Sequence, residues 1–192
     1  LINFMALLGW HPQDNREILS LEQLIKELDV SRVQKAGAIF NIQKLDWLNS
    51  QYIKKISNQA IAEKLGWEPS EKNLKVIALN KARAQTLNQF KTLSEFIFTL
   101  PEYPKELLIW QETAKDNIVK SLKILCQLIE TGREGEISAL AAKEGRGAIF
   151  WPLRAALSGQ KESPGAMDIL AILGREESLK RLRMAIAKLG ND

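Results

Sequence analysis

The sequence holds one cysteine, Cys126, one histidine, His11, and six prolines in 192 residues. A single cysteine excludes an internal disulfide and nearly excludes a cysteine-built metal site. A single histidine excludes a histidine cluster on a metal. A nucleophile–base–carboxylate triad could draw only on His11, which stands beside Pro12 and reads as a surface-turn residue. The phosphate-cradling patterns GxGxxG and GxxxxGK[ST] are missing, as is the serine elbow GxSxG. No run approaches the roughly 18 consecutive apolar residues that cross a bilayer; Ile169-Leu170-Ala171-Ile172-Leu173 is core-sized. The opening Leu1-Ile2-Asn3 carries neither an initiator methionine nor a secretory leader, so the chain is expected to be a fragment or a processed product. These absences argue against most hydrolase and metalloenzyme chemistry within these residues and favour a reduced, intracellular compartment.

Apolar residues make up 45% of the chain and charged residues 26%, a globular balance. The net charge of +4 is unevenly spread: residues 1–56 carry +1, residues 57–144 zero and residues 145–192 +3. A mild basic excess at one end fits a polyanionic partner without demanding one.

The apolar spacing is helical nearly throughout. Ser20 and Gln23 stand three apart as a capping box, ahead of Leu21, Leu24, Ile25 and Leu28 on one expected apolar face. Val30 to Phe40 reads as an irregular connection in which Ile39-Phe40 is the single stretch with strand character. Helical spacing resumes at Leu45, Leu48, Tyr52 and Ile53. A segment boundary is expected near residue 56. Leu74 to Phe90 is expected as one helix, with a second capping box at Thr92 to Glu95. Ile118, Leu122, Leu125 and Ile129 mark a long helix ending at Gly132, and Ile137 to Lys143 a shorter one. Gly145-Arg146-Gly147 is expected as a loop and Pro152 in the first turn of the next helix, where a missing N–H costs nothing. Ser163 is expected as an N-cap with Pro164 behind it, and Gly174 as that helix's end. Leu179, Leu182, Ile186 and Leu189 line the last helix, and Glu176-Glu177 in its first turn serve its dipole.

Four segments carry groups that suit a nucleic acid. In Phe150-Trp151-Pro152-Leu153-Arg154, the expected helix start puts Arg154 where the macrodipole disfavours a cation, and a phosphate or base edge would offset that. The polar loop Ser158 to Gly165 feeds a helix N-terminus whose free N–H groups can meet phosphate or a base carbonyl. Lys81-Ala82-Arg83 could flank an apolar helix face; a solvated helix side is the plainer reading. Lys44 and Trp47 share a helical side, where an indole can stack on a base beside an ammonium on phosphate. A core tryptophan is the ordinary alternative.

In this order, the residues resemble a known family. Leu1 to Trp10 is similar to the segment following the catalytic lobe of bacterial-type glutamyl-tRNA synthetases. Phe40-Asn41 with Lys44 to Asn49, Trp151 to Gly159, and Ser163-Pro164-Gly165 with Ile169 to Gly174 match further segments of that family in sequence. The resemblance implies an all-α fold: a small helical stem-contact region with at most short strands, 1–56, then an anticodon-binding domain in two helical subdomains, 57–132 and 133–192. It implies tRNA recognition by the C-terminal half of a ligase that attaches glutamate to tRNA with ATP and magnesium. The HIGH-type and KMSKS-type signatures are absent, so this chain is expected to bind tRNA, hold no cofactor and catalyse nothing by itself.

The resemblance also implies site residues. The arginine that reads the third anticodon base falls on Arg83, and arginine there goes with enzymes strict for tRNA(Glu) rather than also charging tRNA(Gln). The arginine of the PLR motif falls on Arg154. The loop that packs on anticodon bases falls on Ser163, Pro164 and Ala166, where the family usually has threonine for Ser163 and a larger apolar residue for Ala166. Lys44 and Trp47 are implied contacts to the tRNA stem. The expected partner is tRNA(Glu), with tRNA(Gln) left open, no DNA and no membrane. A monomer in the cytoplasm or an organellar matrix is expected. The rivals are a helical protein–protein interaction module without tRNA specificity, and an independent enzyme whose catalytic group the sequence does not display.

Overall fold

A computed structural model describes residues 1–34 and 37–190, so Lys35 and Ala36 of the expected connection, and Asn191 and Asp192, lie outside the described residues. The chain divides into two compact units, Leu1–Thr92 and Leu93–Asp192. The first contains α1 (Ile2–Leu7), α2 (Leu21–Glu27), a 3-10 turn (Val30–Arg32), α3 (Ile42–Lys55), α4 (Asn58–Leu65) and α5 (Glu71–Asn80). The unit boundary falls inside α6 (Leu87–Phe98). The second contains a 3-10 helix (Lys105–Leu108), α7 (Lys115–Glu130), a 3-10 turn (Glu134–Glu136), α8 (Ile137–Glu144), α9 (Arg146–Ser158) and α10 (Ala166–Gly190). The expected all-α class holds. Among the described residues there is no strand, including at Ile39-Phe40. An isolated extended segment has no ladder to join; the Phe40 ring instead meets Phe4 edge-on at 5.1 Å.

In the first unit, local chemistry sets most helix starts. Ser20 and Gln23 form the expected capping box, each side chain bonding the other's backbone N–H. Asn41, Ser57 and Ser70 cap α3, α4 and α5 by accepting from Lys44, Ala60 and Asn73 N–H groups. Asn3 Oδ1 accepts from Leu19 N–H at 3.1 Å and from the Tyr52 hydroxyl at 2.7 Å, tying α1, its following loop and α3. The expected apolar face of α2 is only partly used. Leu24 packs with Trp10 and Leu19, while Leu21, Ile25 and Leu28 remain exposed.

The expected single helix from Leu74 to Phe90 is instead two helices joined by a turn. Asn80 is fully buried and its Nδ2 donates back to Val76 O at 3.1 Å. Lys81 turns aside to donate to Ile56 O and Asn58 Oδ1. Gln89 then starts α6 by accepting from the N–H groups of Gln85 and Thr86. The capping box expected at Thr92 to Glu95 therefore falls inside α6, with Ser94 fully buried.

The second unit is organised around α9, which packs against α7, α8, α10 and the Lys105–Leu108 turn. Ile118, Leu122, Leu125 and Ile129 of α7 are buried as expected, and Leu179, Leu182 and Leu189 of α10 likewise, with Ile186 half-buried. Two expected helix starts are displaced. Arg146 and Gly147 belong to α9, so Pro152 lies mid-helix, where it removes a hydrogen bond at a cost of about 3 kcal/mol. Burial of Ile149, Leu153, Ala156 and Leu157 offsets that. Ser163 does not cap α10, which begins at Ala166. Gly174 does end a helical run, because its φ of 74° and ψ of 176° kink α10 there.

Among the described residues Arg181 is the most buried charge, 1% exposed. Its guanidinium donates to Phe96 O, Leu157 O and Ile97 O at 2.7, 2.6 and 3.2 Å, and its Nε to Glu177 Oε1 at 2.7 Å. A cation thus meets the carbonyl ends of α6 and α9, where both helix dipoles are negative.

Candidate nucleic-acid interface

Arg154 sits on the ninth residue of α9, not in a first turn, because the helix starts eight residues earlier at Arg146. The α9 macrodipole therefore does not disfavour a cation at Arg154, and side-chain geometry is what suits this residue to an anionic partner. The Arg154 guanidinium stands 4.8 Å over the Trp151 ring and donates from Nη1 to Ser163 Oγ at 3.0 Å. Trp151 is itself held by an indole N–H donated to Leu107 O at 2.9 Å. A stacked guanidinium is planar and oriented, a state that favours paired hydrogen bonds to a base edge or phosphate.

Ser163 serves this arrangement from the loop between α9 and α10. That loop leaves α9 through Gly159, whose φ is +64° and whose missing Cβ would meet Pro101 Cγ at 2.9 Å. Ser158 Oγ, fully buried, donates to Arg154 O at 2.7 Å and accepts from Gln160 N–H at 3.2 Å. The loop is therefore anchored at both ends. Pro164 and Ala166 are buried, so they offer little surface of their own, though Ala166 lines the cleft beside Arg154.

That cleft has a volume of about 510 Å³ and lies within the second unit. Trp110, Phe150, Trp151 and Met167 give it apolar walls, with Arg146, Arg154 and Asp168 as its charged lining. Sequence reasoning passed over Trp110, Arg146 and Asp168. Trp110 is 41 residues from Trp151, yet their ring centroids lie 5.1 Å apart, and no local pattern encodes that pairing. Arg146 stands 5.6 Å over the Phe150 ring, an i, i+4 spacing that was available once the helix start was known.

Arg83, Lys44 and Trp47 belong to the first unit. Arg83 lies in the turn between α5 and α6 and is exposed. Its side chain makes no ion pair among the described residues, whereas neighbouring Lys81 is spent on Ile56 O and Asn58. Trp47 is 40% exposed on α3, so it is not the core tryptophan of the plainer reading. Lys44 pairs with Glu17 at 2.6 Å and would have to exchange that partner to reach a phosphate.

His11 is exposed and its Nε2 meets the Gln34 side-chain amide at 2.5 Å. Cys126 is buried, and burial pushes its thiol above the usual range. Among the described residues no three His, Cys, Asp or Glu side chains come together as a metal site, and no helix is long and apolar enough to cross a membrane.

Residues 33–186 match the family described as anticodon binding domain, and residues 1–47 match the catalytic domain of class I tRNA synthetases for E and Q. A glutamate–tRNA ligase of Lachnoclostridium phytofermentans is 35% identical over all of this chain and 43% of its own length. One of Thermus thermophilus is 32% identical over 97% of this chain and 43% of its own. The crystal structure of a glutamate–tRNA ligase from Elizabethkingia meningosepticum in complex with its amino acid superposes with a TM-score of 0.84, at 32% identity, over 98% of this chain and 40% of that one. The chain thus spans less than half the length of the relatives it matches, and most of the catalytic-domain family's region has no counterpart in it. On the family match across most of its length, the chain belongs to the anticodon-binding-domain family found in glutamate–tRNA ligases.

Proposed function

We propose that this chain is the tRNA-recognition part of a glutamate–tRNA ligase. Unpaired anticodon bases splay out and are met by Arg83, Arg154 and Ser163, with Pro164 and Ala166 shaping the loop floor. Lys44 and Trp47 meet the stem. The observation that carries this reading is Arg154: stacked on Trp151 and bonded to Ser163, it stands in an aromatic cleft of a chain from an anticodon-binding family.

The stem-contact region is 1–56, and the anticodon-binding subdomains are 57–132 and 133–192. In the whole ligase, glutamate is attached to tRNA with ATP and magnesium, and this chain supplies binding rather than bond making. Arg83 leans the specificity towards tRNA(Glu) over tRNA(Gln). The chain works as a monomer in the cytoplasm or an organellar matrix.

The test is titration with a tRNA(Glu) transcript and an anticodon-swapped copy at two salt concentrations. Binding is expected to fall steeply with salt through counterion release and to prefer the native anticodon. Arg83→Ala and Arg154→Ala are each expected to weaken binding about tenfold to a hundredfold and to lower discrimination at one anticodon position. Salt-independent binding, or none, overturns the reading; equal loss across all anticodons reduces Arg83 to a phosphate contact.

One observation supports a protein contact alongside RNA. Among the described residues, twelve of the fifteen exposed large apolar side chains lie in residues 1–47, the stretch matched by the catalytic-domain family. That concentration of exposed apolar side chains fits a protein contact, and in the proposed reading this end meets catalytic-domain residues of the ligase while the helical remainder meets tRNA.

A further inference from the structure

We infer that Trp110 is a stacking wall for one nucleobase of the tRNA loop, a contact separate from those of Arg154. The inference rests on the tRNA reading above and names a residue and a mode of binding that the reading does not contain. Three observations carry it. First, Trp110 is half-buried and lines the cleft, against the Trp151 ring at 5.1 Å, so its indole is braced rather than free to swing. Second, the indole closes directly over Gly147: a Cβ built on that glycine would collide with the ring's Cε2 and Nε1. The backbone of α9 has given up a side chain where the ring lies. Third, the next residue, Gln111, holds a left-handed φ of 51°, unusual for a residue with a side chain.

A ring placed at this cost has a plain core use only if it is covered, and this one lines an open cleft. The cleft's volume falls within the range that takes a small organic ligand. Phe150 and Met167 offer further apolar surface, Arg146 makes no ion pair among the described residues and can meet a phosphate, and Asp168 can accept from a base amino group. Flat apolar walls with a free cation at the rim suit an unstacked nucleotide. Stacking tolerates any base, so Trp110 contributes affinity and order to the loop, and Arg154 contributes the reading of an edge.

The experiment uses the whole chain and an anticodon stem-loop of tRNA(Glu), with 2-aminopurine placed in turn at each loop position. Wild type is expected to quench one position strongly. Trp110→Leu, which keeps apolar volume but has no ring, is expected to lose that quenching and bind about 5- to 150-fold more weakly. Trp110→Phe keeps a ring and is expected to retain most of both. Gly147→Ala displaces the indole without removing it and is expected to resemble Trp110→Leu. Unchanged affinity and quenching in Trp110→Leu, with wild type still binding, overturns this inference alone. Absence of stem-loop binding by wild type overturns the tRNA reading itself.

Discussion

The two units start their helices by different means. In Leu1–Thr92, four of the helices are opened by a side chain that the sequence places at the boundary: Ser20, Asn41, Ser57 and Ser70. In Leu93–Asp192, α7, α8 and α9 have no side-chain cap. Their boundaries follow from packing instead. α9 begins where Gly147 lets the Trp110 ring close over it, and α6 and α9 end where Arg181 collects their carbonyls. The lesson is that short-range hydrogen bonds suffice to punctuate a helix, but a unit can also leave that task to one buried group reaching across the chain. The same contrast appears in the exposed apolar side chains, which crowd the first 47 residues and are sparse in the second unit.

The comparison is broken most severely at Arg181. Arg181→Met strands three buried carbonyls and is expected to destabilise the chain by about 3–5 kcal/mol, read as a lower midpoint in urea unfolding. A loss no larger than a surface substitution would show that the second unit does not depend on its buried cation. Smaller effects are expected at the first unit's caps. Ser57→Ala and Ser70→Ala should each cost about 1 kcal/mol, and the double variant should sum the two, since each cap is a local bond on its own helix. Strong non-additivity would mean that these starts are also set by packing.

The smallest effect at neutral pH, a slight gain in stability, is expected for Tyr103→Phe, because its hydroxyl is buried without a hydrogen-bond partner. Burial, helped by the charge of Glu102, pushes the Tyr103 hydroxyl up to about 12 from an ordinary 10.0. Below pH 10 both folded and unfolded chains keep the proton, and the burial of the neutral phenol contributes in full. Between pH 10 and 12 the unfolded chain ionises first, so stability falls as pH rises through that window. Tyr103→Phe should flatten that part of the stability–pH curve. A wild-type profile already flat from pH 10 to 12 would remove the second unit's buried phenol from the account.

Much of the molecule was legible in the sequence. The all-α class, the capping box at Ser20, the α7 stripe and the break at Gly174 each rest on interactions between residues a few positions apart. The misplacements have one cause. Pro152 reads as a helix start because proline is cheapest there, and burial of the surrounding α9 side chains overrode that preference. Ser163 reads as an N-cap because it precedes Pro164, yet its hydroxyl is taken by Arg154. Leu74 to Phe90 reads as one helix because its apolar spacing is unbroken, and buried Asn80 and capping Gln89 interrupt it.

By itself, the sequence determined the helical class, the scarcity of cysteine and histidine and the arginines that could meet a nucleic acid, because composition and periodicity act through neighbours along the chain. Only the tertiary structure decided that Arg154 is oriented by an indole and a serine, that Trp110 walls its cleft and that Arg181 joins two helix ends. Those arrangements pair residues up to 85 positions apart. No local rule governs such pairs, since their energy exists only once the intervening chain has closed.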